Sequence, residues 1–241
     1  MKMNIRIAGV CILLGIIGYS TYRLLASNQV YQEEQKTHQE LLTYKPEPEE
    51  QTKAIINQSL LDLQKKNPDV AGWITIPGTG VDYPFLWAND YQTYLRTDIN
   101  KEPSISGAIF LDYRFDRELA GFKGILFGHS MDNGSMFGSL ANYQEREFFQ
   151  GHQEGTIHLP YENLKLSLVA AMVVQWDDAE VYGVADTKEK KEAFLETLRE
   201  RNIHGRERVP QDLTQEDRFI LLSTCSYVQE EERTVVVFRI Q

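Results

Sequence analysis

The chain has 241 residues, 42% of them hydrophobic and 25% charged, with a formal net charge of -10 at pH 7. That composition fits one well-buried domain plus flanking segments and excludes disorder throughout. It also excludes a nucleic-acid partner, because phosphate binding needs a clustered basic surface that this acidic sequence does not display.

Residues 1–6 carry Lys2 and Arg6, and residues 7–25 are apolar or small apart from Tyr19, Ser20, Thr21, Tyr22 and Arg23. With a rise of about 1.5 Å per residue against a hydrocarbon core of about 30 Å, 7–25 is expected to be a membrane anchor. The basic flank predicts a cytoplasmic N-terminus over 1–6 with all that follows exported. A retained anchor is favoured over a cleaved signal peptide, since 24–28 lacks a small-x-small site. Residues 26–51 are polar and acidic and read as a stalk, helical over 29–43 until Pro46 and Pro48 end it. The main domain is then expected over 52–241.

Within that domain, apolar residues at helical spacing predict an amphipathic helix over 52–66, stopped by Asn67 and Pro68. Short β-like runs follow at 72–76, 81–86, 108–111, 124–127, 156–159, 165–175, 219–224 and 234–240, separated by turn residues. They predict a mainly β fold with helices, a mostly antiparallel barrel or sandwich. The clearest interrupting helix covers 187–202, with Thr187 as its N-cap.

Only two cysteines are present, Cys11 within the expected membrane anchor and Cys225 beyond it, so no disulfide framework is available. An unpaired exported thiol needs a reason. Cys225 ends the apolar run from Phe219, and strand ends hold reactive groups on fixed backbone beside an open loop. Its bland alternative is a small buried hydrophobe. His129 ends another apolar run in the same way, and an imidazole supplies the base or cationic neighbour that a thiol requires. His38, His152, His158 and His204 lack that strand-end setting. Arg233 opens the last run, so that a hairpin of the last two strands returns its guanidinium beside Cys225 to hold a carbonyl or an oxyanion. The alternative for Arg233 is an ion pair with Glu230, Glu231 or Glu232, and Arg239 is a fallback suited to a structural role. Ser223 and Thr224, just before the thiol, are candidates for bonding a substrate backbone.

These residues resemble a known family. Leu222-Ser-Thr-Cys225 is similar to the sortase signature Leu-x-Thr-Cys. The run Phe127-Gly-His-Ser-Met-Asp-Asn-Gly-Ser-Met-Phe137 resembles the histidine segment of class B sortases, and Arg233 matches the family's third catalytic residue. The resemblance covers 52–241, including Gly72-Trp-Ile-Thr-Ile-Pro-Gly-Thr79 and Gly107-Ala-Ile-Phe-Leu-Asp-Tyr-Arg114. It implies an eight-stranded sortase-type β-barrel with N-terminal helices and a helical insertion before the cysteine strand, needing neither cofactor nor metal. It implies a transpeptidase that cleaves a C-terminal sorting signal on surface proteins or pilins after threonine. Cys225 would hold the acyl group as a thioester until an amine resolves it, from a cell-wall peptidoglycan precursor or a pilin lysine. Leu95 resembles a substrate-pocket residue of that class, and the implied location is the membrane of a Gram-positive cell. Three consecutive glutamates between Cys225 and Arg233 depart from the pattern. Two rival readings remain, a secreted cysteine protease or amidase with water as acceptor, and an adhesin or scaffold in which the thiol is incidental.

Overall fold

A computed structural model describes residues 2–46, 56–225 and 232–241. The chain divides into two compact units, Met1–Thr43 and Tyr44–Gln241.

The first unit is a single helix, α1 (Lys2–Leu42). The membrane anchor expected over 7–25 is overturned here, because among the described residues no helix is long and apolar enough to cross a membrane. The uninterrupted apolar stretch stops at Gly18, and 19–23 then bring two tyrosines, two hydroxyls and an arginine. A helix over 7–18 rises only about 18 Å, well short of a hydrocarbon core of about 30 Å. The single-pass, N-in assignment, the export that followed from it and the extracytoplasmic placement of the domain fall with that anchor.

The second unit begins with α2 (Gln58–Lys66), β1 (Val70–Thr75), β2 (Asp82–Trp87), α3 (Thr93–Arg96), β3 (Ile109–Leu111) and β4 (Lys123–His129). A 3-10 segment (Gly138–Gln144) leads into α4 (Arg146–Gly151), followed by β5 (Glu154–Leu159) and β6 (Glu162–Gln175). Then come α5 (Ala179–Tyr182), α6 (Lys188–Arg201), β7 (Arg218–Cys225) and β8 (Glu232–Ile240). The eight strands close into a barrel in the order β1-β2-β3-β4-β7-β8-β6-β5. Each expected strand is present at its place, and the barrel is mixed: β2–β3 and β4–β7 are parallel, the other neighbours antiparallel. Parallel neighbours need long crossovers, and the β4-to-β7 connection holds most of the helices.

The helix expected over 52–66 begins at Gln58, and residues 52–55 lie outside the described residues. Asn57 is its N-cap: its carbonyl accepts from Leu61 N, its own N–H turns away to Pro160 O, and its side-chain amide donates to Leu159 O and Asn163 Oδ1.

Side chains alternate between two apolar clusters, as strand geometry dictates. The inner cluster takes residues from all eight strands, among them Ile74, Phe85, Leu111, Leu126, Ile157, Leu166, Leu222 and Phe238. The outer one joins Ile125, Phe219, Leu221, Val235 and Val237 to Val181 and Tyr182 of α5 and Phe194, Leu195 and Leu198 of α6.

Candidate active site

Strands β4 and β7 run side by side in register from Lys123↔Phe219 to His129↔Cys225, so both apolar runs end on the same rung. Strand β8 pairs with the other edge of β7, ending at Ser223↔Val235. Arg233 lies two residues before Val235 on β8, as Cys225 lies two residues after Ser223 on β7. The three candidates thus lie on neighbouring strands at one end of the barrel, although 96 residues separate the first two in the chain, 225 less 129.

The histidine segment is shaped for this corner. A Cβ on Gly128 would stand 2.8 Å from the Phe137 ring, so only glycine lets Phe137 pack beneath the strand end. Gly134 turns the loop back with φ +80, a left-handed conformation that glycine takes at no steric cost. Phe137 N then donates to His129 O at 2.9 Å.

His129 is 3% exposed, and its Nε2 lies 2.8 Å from Leu95 O. A carbonyl only accepts, so Nε2 carries the proton, and a neutral ring then holds its lone pair on Nδ1. Leu95 therefore meets the site through its backbone on α3, with its side chain half-buried.

Arg233 Nη1 donates to Thr224 O at 2.7 Å, the carbonyl just before Cys225. This bond uses one of five guanidinium donors. Of the three carboxylates expected to compete for it, Glu230 and Glu231 lie outside the described residues, and Glu232 opens β8 opposite Gln175 with an exposed side chain. Arg239 instead pairs with Asp212 at 2.9 Å and Asp217 at 2.7 Å. Thr224 is buried, and Ser223 is fully so, its hydroxyl 3.0 Å from Tyr182 Oη. A direct bond from Ser223 to a substrate would require Tyr182 to be displaced.

The sequence alone did not mark Tyr182, nor the group that holds it. The Tyr182 ring stacks on Phe127 with centroids 6.2 Å apart. Its carbonyl accepts from Arg114 Nη2 at 2.9 Å, and Arg114 pairs with the fully buried Asp112 at 2.6 Å. Tyr91 donates to the same carboxylate at 2.9 Å. Burial and then this bond push the Tyr91 phenol up, so that it stays protonated and donating. One residue earlier, Val181 O accepts from Lys123 Nζ at 2.8 Å. Burial, with the Arg114 charge nearby, lowers the Lys123 ammonium to about 7, against the opposing pull of Glu180, Asp112 and Asp178. Arg114 and Lys123 thus hold the last two carbonyls of α5. The one sequence signal was a lysine opening an otherwise apolar strand.

The remaining histidines of the barrel unit serve structure. His152 Nδ1 bonds Phe148 O, His158 Nδ1 bonds Asn163 Oδ1 and His204 Nε2 bonds Tyr143 O.

A closed, mixed eight-stranded barrel of this topology, with a helical insertion before the last two strands, is the fold of the sortases. No family model matches the chain. Sortase B of Listeria monocytogenes is 29% identical over 184 residues, covering 76% of this chain and 74% of that protein. The crystal structure of sortase B from Bacillus anthracis in complex with AAEK2 superposes with a TM-score of 0.77 at 28% identity, over 87% of this chain and 96% of that one. A Staphylococcus aureus sortase B–substrate complex gives a TM-score of 0.72 at 26% identity, over 88% and 92% of the two chains. In sequence and in fold the chain is a homologue of the class B sortases, and that homology supports a sortase-type cysteine transpeptidase.

Proposed function

We propose that the chain cleaves a C-terminal sorting signal and passes the new acyl end to an amine, with Cys225 as nucleophile, His129 as acid and base, and Arg233 as oxyanion or carbonyl ligand. The observation that carries this reading is the shared rung of His129 and Cys225 at the ends of two parallel strands. A strand-end histidine in register with a strand-end cysteine supports the nucleophile-and-base pairing that acyl transfer requires.

The reaction balances as follows. The Cys225 thiolate attacks the threonyl carbonyl carbon, and Arg233 stabilises the charge that gathers on its oxygen. The carbon–nitrogen bond breaks as the His129 imidazolium protonates the departing amine, leaving a thioester. An incoming amine attacks that thioester and gives its proton to His129, and the thiolate leaves as an amide forms. Leu95 and Thr224 border the substrate, while Ser223 acts from below through Tyr182. The substrates are surface proteins or pilins that bear a sorting signal, and the acceptor is a cell-wall precursor amine or a pilin lysine.

Incubation with a sorting peptide and an excess of a simple amine tests this. The expected product is the amide, with a thioester adduct seen by mass spectrometry. Cys225→Ala should lower turnover at least about a thousandfold and abolish the adduct. Acid as the main product despite abundant amine would mean a hydrolase, and an adduct on Cys225→Ala would remove Cys225 from its role.

A further inference from the structure

Among thiol and serine acyl-transferases the general base is held in its working tautomer by a third group, most often a carboxylate or carboxamide side chain. Here the observed partner of His129 Nε2 is a backbone carbonyl, Leu95 O at 2.8 Å. A carbonyl cannot be replaced by mutation, so what this bond does for the ring depends on whatever fixes that carbonyl in space.

Helix α3 cannot fix it alone. It has four residues, and so short a helix is not stable by its own hydrogen bonds. External ties hold it, among them Ser104 N donating to Arg96 O at 2.9 Å. Asp90 accepts from Gln92 N, Thr93 N and Thr93 Oγ1 at 2.6, 2.7 and 2.8 Å. Tyr94, 1% exposed, donates its hydroxyl to Asp69 Oδ2 at 2.6 Å and accepts from Asn67 Nδ2 at 2.9 Å. Burial and the Asp69 bond push the Tyr94 phenol up, which keeps it a donor. Ala108 N donates to Tyr94 O at 2.9 Å from the opposite side.

Gly107 closes the grip. It has φ +58, and a Cβ built on it would lie 2.6 Å from Tyr94 O and 2.9 Å from Leu95 O. The glycine that opens the Gly107–Arg114 motif therefore lies against the carbonyl on which His129 rests. We propose that Tyr94 and Gly107 are positioning residues for His129, acting through the Leu95 carbonyl to keep the proton on Nε2 and the lone pair on Nδ1. The inference rests on the acid–base role given to His129 above.

Nitrogen-15 NMR of the histidine rings in the full chain reads the tautomer directly and independently of turnover. Tyr94→Phe removes the hydroxyl but leaves Asp69 paired with Lys101 and Asn67 donating to Ile99 O, so the domain is expected to fold. In this variant the Nδ1–H tautomer of His129 should become populated. kcat should fall between about tenfold and about a hundredfold, with KM moving less than about twofold, since a misplaced reacting group costs turnover rather than binding. Gly107→Ala should do the same more strongly, and if it fails to fold Tyr94→Phe carries the test by itself. Tyr143→Phe serves as the control. It loses a buried hydroxyl bond of the same kind, to His152 O at 2.9 Å, and should leave the His129 tautomer unchanged.

A His129 tautomer that stays put in the folded Tyr94 and Gly107 variants overturns the inference, whatever happens to the rate. So does a tautomer that shifts equally in the Tyr143 control. A shifted tautomer with undiminished amide formation upholds the positioning role and instead removes His129 from the proposed reaction.

Discussion

The two apolar clusters of the barrel unit are built from the same strands yet behave as different materials. In β7, Ile220 and Leu222 face the inner cluster, and in β8 Val236, Phe238 and Ile240 do the same. Phe219, Leu221, Val235 and Val237 alternate with them and face the outer one. The polar side chains of the site continue the outer series: Ser223 follows Leu221, Arg233 precedes Val235, and His129 follows Ile125 and Phe127. The inner cluster is lined by the strands and plugged by Leu140 and Tyr143 of the 3-10 segment and Phe149 of α4, with the Tyr83 and Tyr143 hydroxyls among its few polar atoms. The outer one is covered by α5, α6 and loops, where buried polar groups tie the cover down, and the proposed site sits at its edge.

The largest effect that distinguishes the two comes from the inside. Phe238 is fully buried and meets Tyr143 edge-on with centroids 6.4 Å apart. Phe238→Ala should cost about 3 to 5 kcal/mol in denaturant unfolding, the range for emptying a well-packed aromatic site. Thioester formation per folded molecule should be unchanged. A loss of activity in the folded fraction would mean that the interior, and not only the outer edge, sets the site.

A smaller effect, with a sign of its own, belongs to Lys123. Its ammonium is lowered to about 7 in the folded chain by burial, against an ordinary value of 10.5. Between those values the unfolded chain holds the proton that the folded chain has released, so stability rises with pH there. The penalty for burying the charge is complete below about pH 7 and fades above it. From pH 7 to pH 9 wild-type stability should gain about 2 kcal/mol relative to Lys123→Met, whose apolar side chain has nothing to titrate. Parallel pH profiles for the two proteins would show that the amine keeps its proton through the window, stabilised by Val181 O and by the Phe194 ring 4.4 Å away.

What the residues disclosed in advance follows the same division. All eight strands were readable because each is a short apolar run between turn residues, and the antiparallel pairing of the consecutive strands β7 and β8 is local enough to expect from sequence. The meeting of His129 with Cys225 was inferred from chemistry, since a parallel crossover this long leaves no local trace of which strands become neighbours. Helix α5, four residues long, is too short for periodicity to reveal, so Tyr182 and its grip by Arg114 and Lys123 stayed hidden. The resemblance suggested Leu95 as a substrate-pocket residue, and what no sequence signal showed is that its carbonyl touches the histidine. The misread anchor has a plain cause: the apolar run was extended across 19–23, whose tyrosines, hydroxyls and arginine leave too little apolar length to span a bilayer.

The smallest effect bears on whether the outer layer can loosen by itself. Helix α6 brings Phe194, Leu195 and Leu198 to the outer cluster and begins at Thr187, whose extended backbone and side-chain oxygen cap Lys190 N. That bond is long, 3.3 Å, so Thr187→Ala should fall toward the low end of capping losses, about 0.5 to 1 kcal/mol. Lys191 N still donates to Thr187 O, which keeps the first turn formed. If the layers are separable, hydrogen exchange should quicken at the Lys190 and Lys191 amides and along α6 while the β7 and β8 amides stay protected. Faster exchange spread equally over β7 and β8 would instead make barrel and lid one cooperative unit, in which the polar ties around Tyr182 stabilise the whole fold rather than its outer edge.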